Sequence, residues 1–245
     1  MEGLIYHEQQ TGRLCGVHVI NCLLQGEFFT EIELGNLAQA LDSEERALIS
    51  NVDGAQATPT ESANVSTDGN FSIQVLSRAL SKWSLDLEPV AKASLGDGSL
   101  VAEAYLCHRQ DHWFAIRMIN SKWFDLNSSS EAPQLISEFY LSAYLASLID
   151  EGCIMFSVSG TFPSNDPLRG SATSYGKWWT LEAIEDVKKK EGQIRSKDSK
   201  RDEDEQIREA ILRSMNDGNG TNLMCSEEDP ELAAAISESL KEPRG

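Results

Sequence analysis

Cys15, His112 and Asn127 are residue types that together perform acyl transfer: a thiol to attack, an imidazole to move its proton and a carboxamide to hold the ring. Cys15 follows a polar, glycine-containing loop that ends at Leu14. Val17, Ile20 and Leu24 then share one helical stripe, so the thiol is expected at a helix N-terminus. A free thiol with pKa about 8.5 is only a few per cent ionised at neutral pH, and a helix N-terminus with a neighbouring imidazolium can lower it to about 3.5–7.5. His112 opens one expected strand and Asn127 closes the next, 127 minus 112 or fifteen positions on. A hairpin makes such residues neighbours about 5 Å apart, close enough for Asn127 to fix the imidazole's tautomer. Gln10, five positions before Cys15, offers a side-chain amide that can join the Cys15 N–H in stabilising an oxyanion, and Gln9 beside it could substitute.

The elements that must position these groups are legible as periodicity. Thr30-Glu31-Ile32-Glu33 reads as a capping box opening a helix with Leu34, Leu37, Ala38 and Leu41 inward. A second helix is expected over 71–83, lined by Val75, Leu76, Ala79 and Leu80. From Ala104 the period shifts to two, giving antiparallel strands at 105–107, 112–119 and 123–127. A helix over 134–150 and a last strand over 154–158 complete an α+β unit, helices first and strands later. The Gln, Cys, His, Asn chain order within it is the papain-like order of residue types.

Composition bounds the remaining choices. The 245 residues are 40% hydrophobic and 24% charged, enough for one ordinary domain and a less compact part. No run of about 18 apolar residues or basic leader occurs, so neither secretion nor membrane spanning is expected. The net charge of -18 repels phosphate backbones and anionic lipid, which leaves protein partners rather than nucleic acid or membrane. The five cysteines form no framework spacing and are expected as reduced thiols. Cys15, His18 and Cys22 share a helical face and with Cys107 and His108 can be drawn as a zinc site. Paired C-x-x-C ligands are absent and Cys22 sits among Ile20, Leu23 and Leu24, so packing is the preferred reading and no metal or cofactor is invoked.

The folded unit is expected over 1–160 and a linker containing a short helix over 161–200. From Lys197 to Gly245 lie thirteen acids and seven bases, which account for six of the excess negative charges. Ile207, Ala210, Ile211, Ser214 and Met215 recur 25 residues later as Leu232, Ala235, Ile236, Ser239 and Leu240, each copy preceded by acids. Both copies define an amphipathic stripe with a small residue at its centre, over 201–217 and 226–242, suited to lying on a partner more than to a coiled coil.

These tail repeats resemble ubiquitin-interacting motifs, whose alanine meets ubiquitin's apolar patch. The front resembles the Josephin family through Leu14-Cys15-Gly16-Val17-His18, Leu23-Leu24-Gln25-Gly26-Glu27, Phe71-Ser72-Ile73-Gln74-Val75, His112-Trp113-Phe114 and Trp123-Phe124-Asp125-Leu126-Asn127, in order. The resemblance implies a papain-like deubiquitinase with Cys15 as nucleophile, His112 as base, Asn127 as orienting residue and Gln10 as oxyanion donor. It places ubiquitin contacts at Ile73, Gln74 and Trp83 on one face, at Phe28 and Phe29 on another, and at Ile207, Ala210, Ser214, Leu232, Ala235 and Ser239 in the tail. Implied partners are ubiquitin, polyubiquitin chains and ubiquitylated proteins, with an unfoldase or proteasome shuttle as a further candidate, in nucleus or cytoplasm. Lys188-Lys189-Lys190 reads as a solvated helix end, or as a basic segment of the kind some relatives use on an unfoldase. The helical arm that gates the family's cleft is replaced by a polar stretch, 51–70, carrying Gly54, Pro59 and Gly69. The rival reading is a non-catalytic ubiquitin receptor in which Cys15 is never activated.

Overall fold

The period-two segments form the hairpins that the sequence implies. In the computed structural model, which describes residues 3–10, 12–53, 62–66, 70–95, 102–164 and 176–190, strands β3 (Ala104–Arg109), β4 (His112–Ile119) and β5 (Lys122–Asp125) run antiparallel. The turns between them are Gln110-Asp111 and Asn120-Ser121, all with φ between 50° and 60°. Positive φ at both central residues matches the right-handed twist of the flanking strands, and Asn and Asp tolerate it best. With β2 (Leu85–Pro89), β6 (Gln134–Ile136) and β7 (Ile154–Gly160) these strands make a six-stranded antiparallel sheet in the order β2, β7, β3, β4, β5, β6.

Alternation along the central strands feeds two cores. Ala104, Leu106, Trp113 and Ala115 face one, with α1 (Cys15–Leu24), α2 (Glu31–Asp53) and α3 (Ile73–Ser81) packed on that side. Tyr105, Cys107, Phe114 and Ile116 face the other, under α4 (Glu138–Asp150) with Leu141, Leu145 and Leu148. Residues such as Leu106, Ile116 and Phe124 are fully buried, each a gain of about 1.5–3 kcal/mol over exposure. A sheet covered on both faces explains why β3 and β4 read as nearly continuous apolar runs.

Helix α1 is fastened to β4 along its length. The guanidinium of Arg117 donates to the Leu23 carbonyl at the helix C-terminus, where a cation also suits the helix dipole. Gln25, at φ 62°, caps the same end and exchanges two hydrogen bonds with the Tyr6 backbone, 2.8 and 3.1 Å. The capping box of α2 is present: Thr30 N–H donates to Glu33 at 2.8 Å and Glu33 N–H returns to Thr30 Oγ1 at 3.3 Å.

Two expectations require correction. The segment over 134–150 is not one helix. Residues Gln134–Ile136 pair with β5, placing Leu135 in one core and Ile136 in the other, and Ser137 stays extended before α4 begins. The folded unit also does not stop at 160. Strand β8 (Gly176–Trp179) pairs with β1 (Ile5–Glu8), residues 181–190 are helical with Ile184 buried, and the compact unit reaches Lys190. Two tryptophans supply the apolar surface that draws this segment in, and Gly176 is required where a Cβ would stand 2.0 Å from the Tyr6 hydroxyl. The tail motifs, 201–217 and 226–242, lie outside the described residues. Among the described residues, no helix is long and apolar enough to cross a membrane.

Candidate active site

Cys15 is the first residue of α1, as its spacing implies, and is buried against β4. Glycine follows because Phe71 packs there: a Cβ on Gly16 would lie 3.0 Å from the Phe71 ring. The sulfur meets Asn70, with the thiol donating to Asn70 Oδ1 at 3.1 Å. Burial pushes the Cys15 thiol up, and the backbone N–H groups of Trp113, Gly16 and Cys15 itself, which favour the anion, pull against it. The sequence implies a depressed thiol. Burial of this helix end works against that.

His112 is the first residue of β4, the strand on which α1 packs. Extending the β4–β5 register two positions beyond Ile116↔Asp125 puts Asn127 across from Phe114, on the same face as His112. The carboxamide reaches diagonally, with His112 Nε2 2.8 Å from Asn127 Oδ1. Asn127 Oδ1 also accepts the Ser129 N–H at 2.9 Å, which fixes its orientation. Ser129 Oγ stands 3.3 Å from His112 Nε2. With Nε2–H donated to Asn127, the nitrogen left basic is Nδ1.

Gln10 joins this group from the connection between β1 and α1. Its backbone N–H donates to Ser128 O at 2.8 Å, its Oε1 accepts from Ser128 Oγ at 3.1 Å and its Nε2 donates to Ser129 Oγ at 3.4 Å. Gln9 is exposed, so Gln10 is the glutamine tied to the His112 and Asn127 loop. Ser129 and Asn70 have no distinguishing sequence pattern: each is a small polar residue whose partner is far along the chain.

The other candidate contacts divide differently from expectation. Ile73 and Gln74 line a cavity of about 440 Å³ together with Asp111, Trp113, Phe156 and Asn70, whose Oδ1 accepts from the Cys15 thiol. Trp83 does not belong with them. Its ring meets Phe28 edge to face at 4.6 Å. Phe29 is buried, with its backbone bonded to Asn21 and Lys82 over its ring, so it serves packing rather than an open surface. His18 and Cys22 are held inside by Glu8, which lies 2.6 Å from His18 Nδ1 and whose N–H donates to the Cys22 sulfur at 3.2 Å.

A thiol at a helix N-terminus, packed against a sheet that carries a histidine and an asparagine, is the arrangement of the papain-type cysteine protease fold. The chain belongs to the Josephin family, whose sequence profile matches residues 10–159. It is 37% identical over 257 residues to the ataxin-3 homolog of Arabidopsis thaliana, covering 97% of this chain and 89% of that protein. It is 35% identical over 264 residues to the putative ataxin-3 homolog of Oryza sativa subsp. japonica, covering 99% and 75%. Against ataxin-3 of Homo sapiens the identity is 38% over 167 residues, covering 65% of this chain and 46% of that protein. These similarities support a deubiquitinase-family role on a cysteine-protease fold.

Proposed function

We propose that the protein hydrolyses isopeptide bonds in polyubiquitin, with Cys15 as nucleophile, His112 as general base and acid, Asn127 as orienting residue and Gln10 as oxyanion donor. The observation that carries this reading is the 2.8 Å contact of His112 Nε2 with Asn127 Oδ1, at the start of β4, the strand against which α1 and its first residue, Cys15, pack. The sulfur attacks the ubiquitin carbonyl carbon while its proton passes to His112 Nδ1. The lysine amine leaves as His112 returns that proton, and a thioester remains. Water, deprotonated by His112, then releases the ubiquitin carboxyl group and restores the thiol. Developing oxyanion charge falls to the Cys15 N–H and to Gln10, whose Nε2 has a second hydrogen beyond the one it gives Ser129 Oγ.

The repeated tail stripes support ubiquitin binding by residues 201–217 and 226–242, holding a chain near the cleft. Ubiquitylated proteins are the substrates in this reading, and Ile73 and Gln74 at the cavity are the better placed ubiquitin contacts on the catalytic unit. Cleavage of di-ubiquitin by the full chain, abolished in Cys15→Ala, tests the reading. The non-catalytic receptor draws support from one observation, the thiol's hydrogen bond to Asn70 Oδ1. A receptor would bind chains and leave di-ubiquitin intact.

A further inference from the structure

The hydrogen bond between Cys15 and Asn70 has a fixed direction. Asn70 Nδ2 lies 2.6 Å from the Asp111 carbonyl, which can only accept, so the amide nitrogen faces Asp111 and Oδ1 faces the sulfur. An amide oxygen also only accepts. The 3.1 Å contact with Cys15 therefore requires the thiol, and a thiolate would meet a lone pair.

We propose that Asn70 is a positioning residue that holds Cys15 in its protonated resting form, and that the nucleophile ionises when the Asn70 carboxamide leaves the sulfur. This rests on the reading of Cys15 as the nucleophile. The backbone at Asn70 is anchored independently of its side chain. Its N–H donates to Ser66 Oγ at 3.1 Å, its carbonyl accepts from Ser66 N–H at 2.9 Å, and the next carbonyl, of Phe71, accepts from Trp113 Nε1 at 3.0 Å. The side chain alone bridges the start of α1 to the turn that precedes His112. The cavity of about 440 Å³ lined by Asn70, Asp111, Ile73 and Gln74 gives the carboxamide a place to go. An extended chain entering that cavity brings backbone N–H groups that compete for Oδ1, so occupancy and ionisation are coupled.

Among the described residues, the titratable groups on the elements that pack beside Asn70 and the start of α1 are His112 and Asp111 at the start of β4 and its turn, and His108 on β3 against Trp113. Arg13 precedes Cys15 in the chain, and the next titratable side chain on α1, His18, is held by Glu8. Substitution at position 70 removes none of these groups.

The test is the pH dependence of Cys15 alkylation by iodoacetamide in the full chain, read on the Cys15 peptide by mass spectrometry. Asn70→Ala should lower the alkylation midpoint by about one pH unit, giving roughly five- to tenfold more thiolate at pH 7. Asn70→Asp places a carboxylate against the sulfur and should raise the midpoint. Mere loosening of the loop would move both variants the same way. An unmoved midpoint in Asn70→Ala, or a shared direction, overturns the proposal. Should Asn70→Ala fail to fold, Asn70→Asp decides by sign: a midpoint at or below that of the wild type overturns it. The same preparations are treated with ubiquitin carrying a C-terminal electrophile. Labelling of the wild type with no opposed midpoint shifts defeats the Asn70 proposal alone, whereas no labelling of Cys15 in any variant defeats the hydrolase reading.

Discussion

His112 Nε2 and Asn127 Oδ1 stand 2.8 Å apart, and the Ser129 N–H holds that same oxygen at 2.9 Å. The oxygen cannot turn away without breaking a backbone hydrogen bond, so the imidazole is kept with its proton on Nε2 and its basic nitrogen free. Asn127→Ala should lower kcat for ubiquitin hydrolysis by about 10²-fold or more, with a small effect on KM. Steady-state kinetics with a ubiquitin C-terminal fluorogenic amide checks this. A change confined to KM would place Asn127 in binding instead.

Gln10 is tied to Ser128 and Ser129 through both ends of its amide. Loss of an oxyanion donor costs about 10²–10³ in kcat. Gln10→Ala should fall in that range, while Ser128→Ala, which removes only an anchor, should cost about tenfold or less. Equal losses would mean that Gln10 acts as a brace for the Asn127 loop.

Two buried groups tilt the dependence of stability on pH in opposite directions. Burial lowers His7 to about 4, so the folded state stays neutral while the unfolded chain protonates near 6.5, and stability is lost as pH falls between those values. Burial raises Asp125 to about 6, so the folded state holds a proton that the unfolded chain releases from about 3.8 upward, and stability is lost as pH rises through that window. His7→Gln should therefore gain stability relative to wild type on acidification from pH 6.5 to 4, and Asp125→Asn should lose it. Urea unfolding across that range measures both slopes.

The tail stripes centre on Ala210 and Ala235. Ala210→Phe with Ala235→Phe should slow cleavage of long ubiquitin chains by about tenfold or more, while hydrolysis of a monoubiquitin ester stays near the wild-type rate. Equal losses on both substrates would remove the avidity role.

Local patterns made the helix start at Cys15, the capping box at Thr30 and the hairpin bearing His112 and Asn127 legible, because each depends on neighbours within one turn or one hairpin. Features built from long-range contacts were not. The pairing of Ile5 with Trp179 joins opposite ends of the compact unit, and no periodicity marks a lone four-residue strand. Leu135 and Ile136 fit a helix as well as a strand, and pairing with Phe124 and Trp123 decided between them. Asn70 reaches Cys15 and Asp111 only after folding, and the burial that lifts the thiol is a property of the assembled site, which residue types alone do not express.

The central claim is that Cys15 is a nucleophile served by His112. Ubiquitin bearing a C-terminal electrophile should form a covalent adduct with the full chain, mapped to Cys15 by mass spectrometry. The adduct should be absent in Cys15→Ala and form at least about 10²-fold more slowly in His112→Ala. An adduct on another residue, or unchanged labelling without His112, would contradict the account.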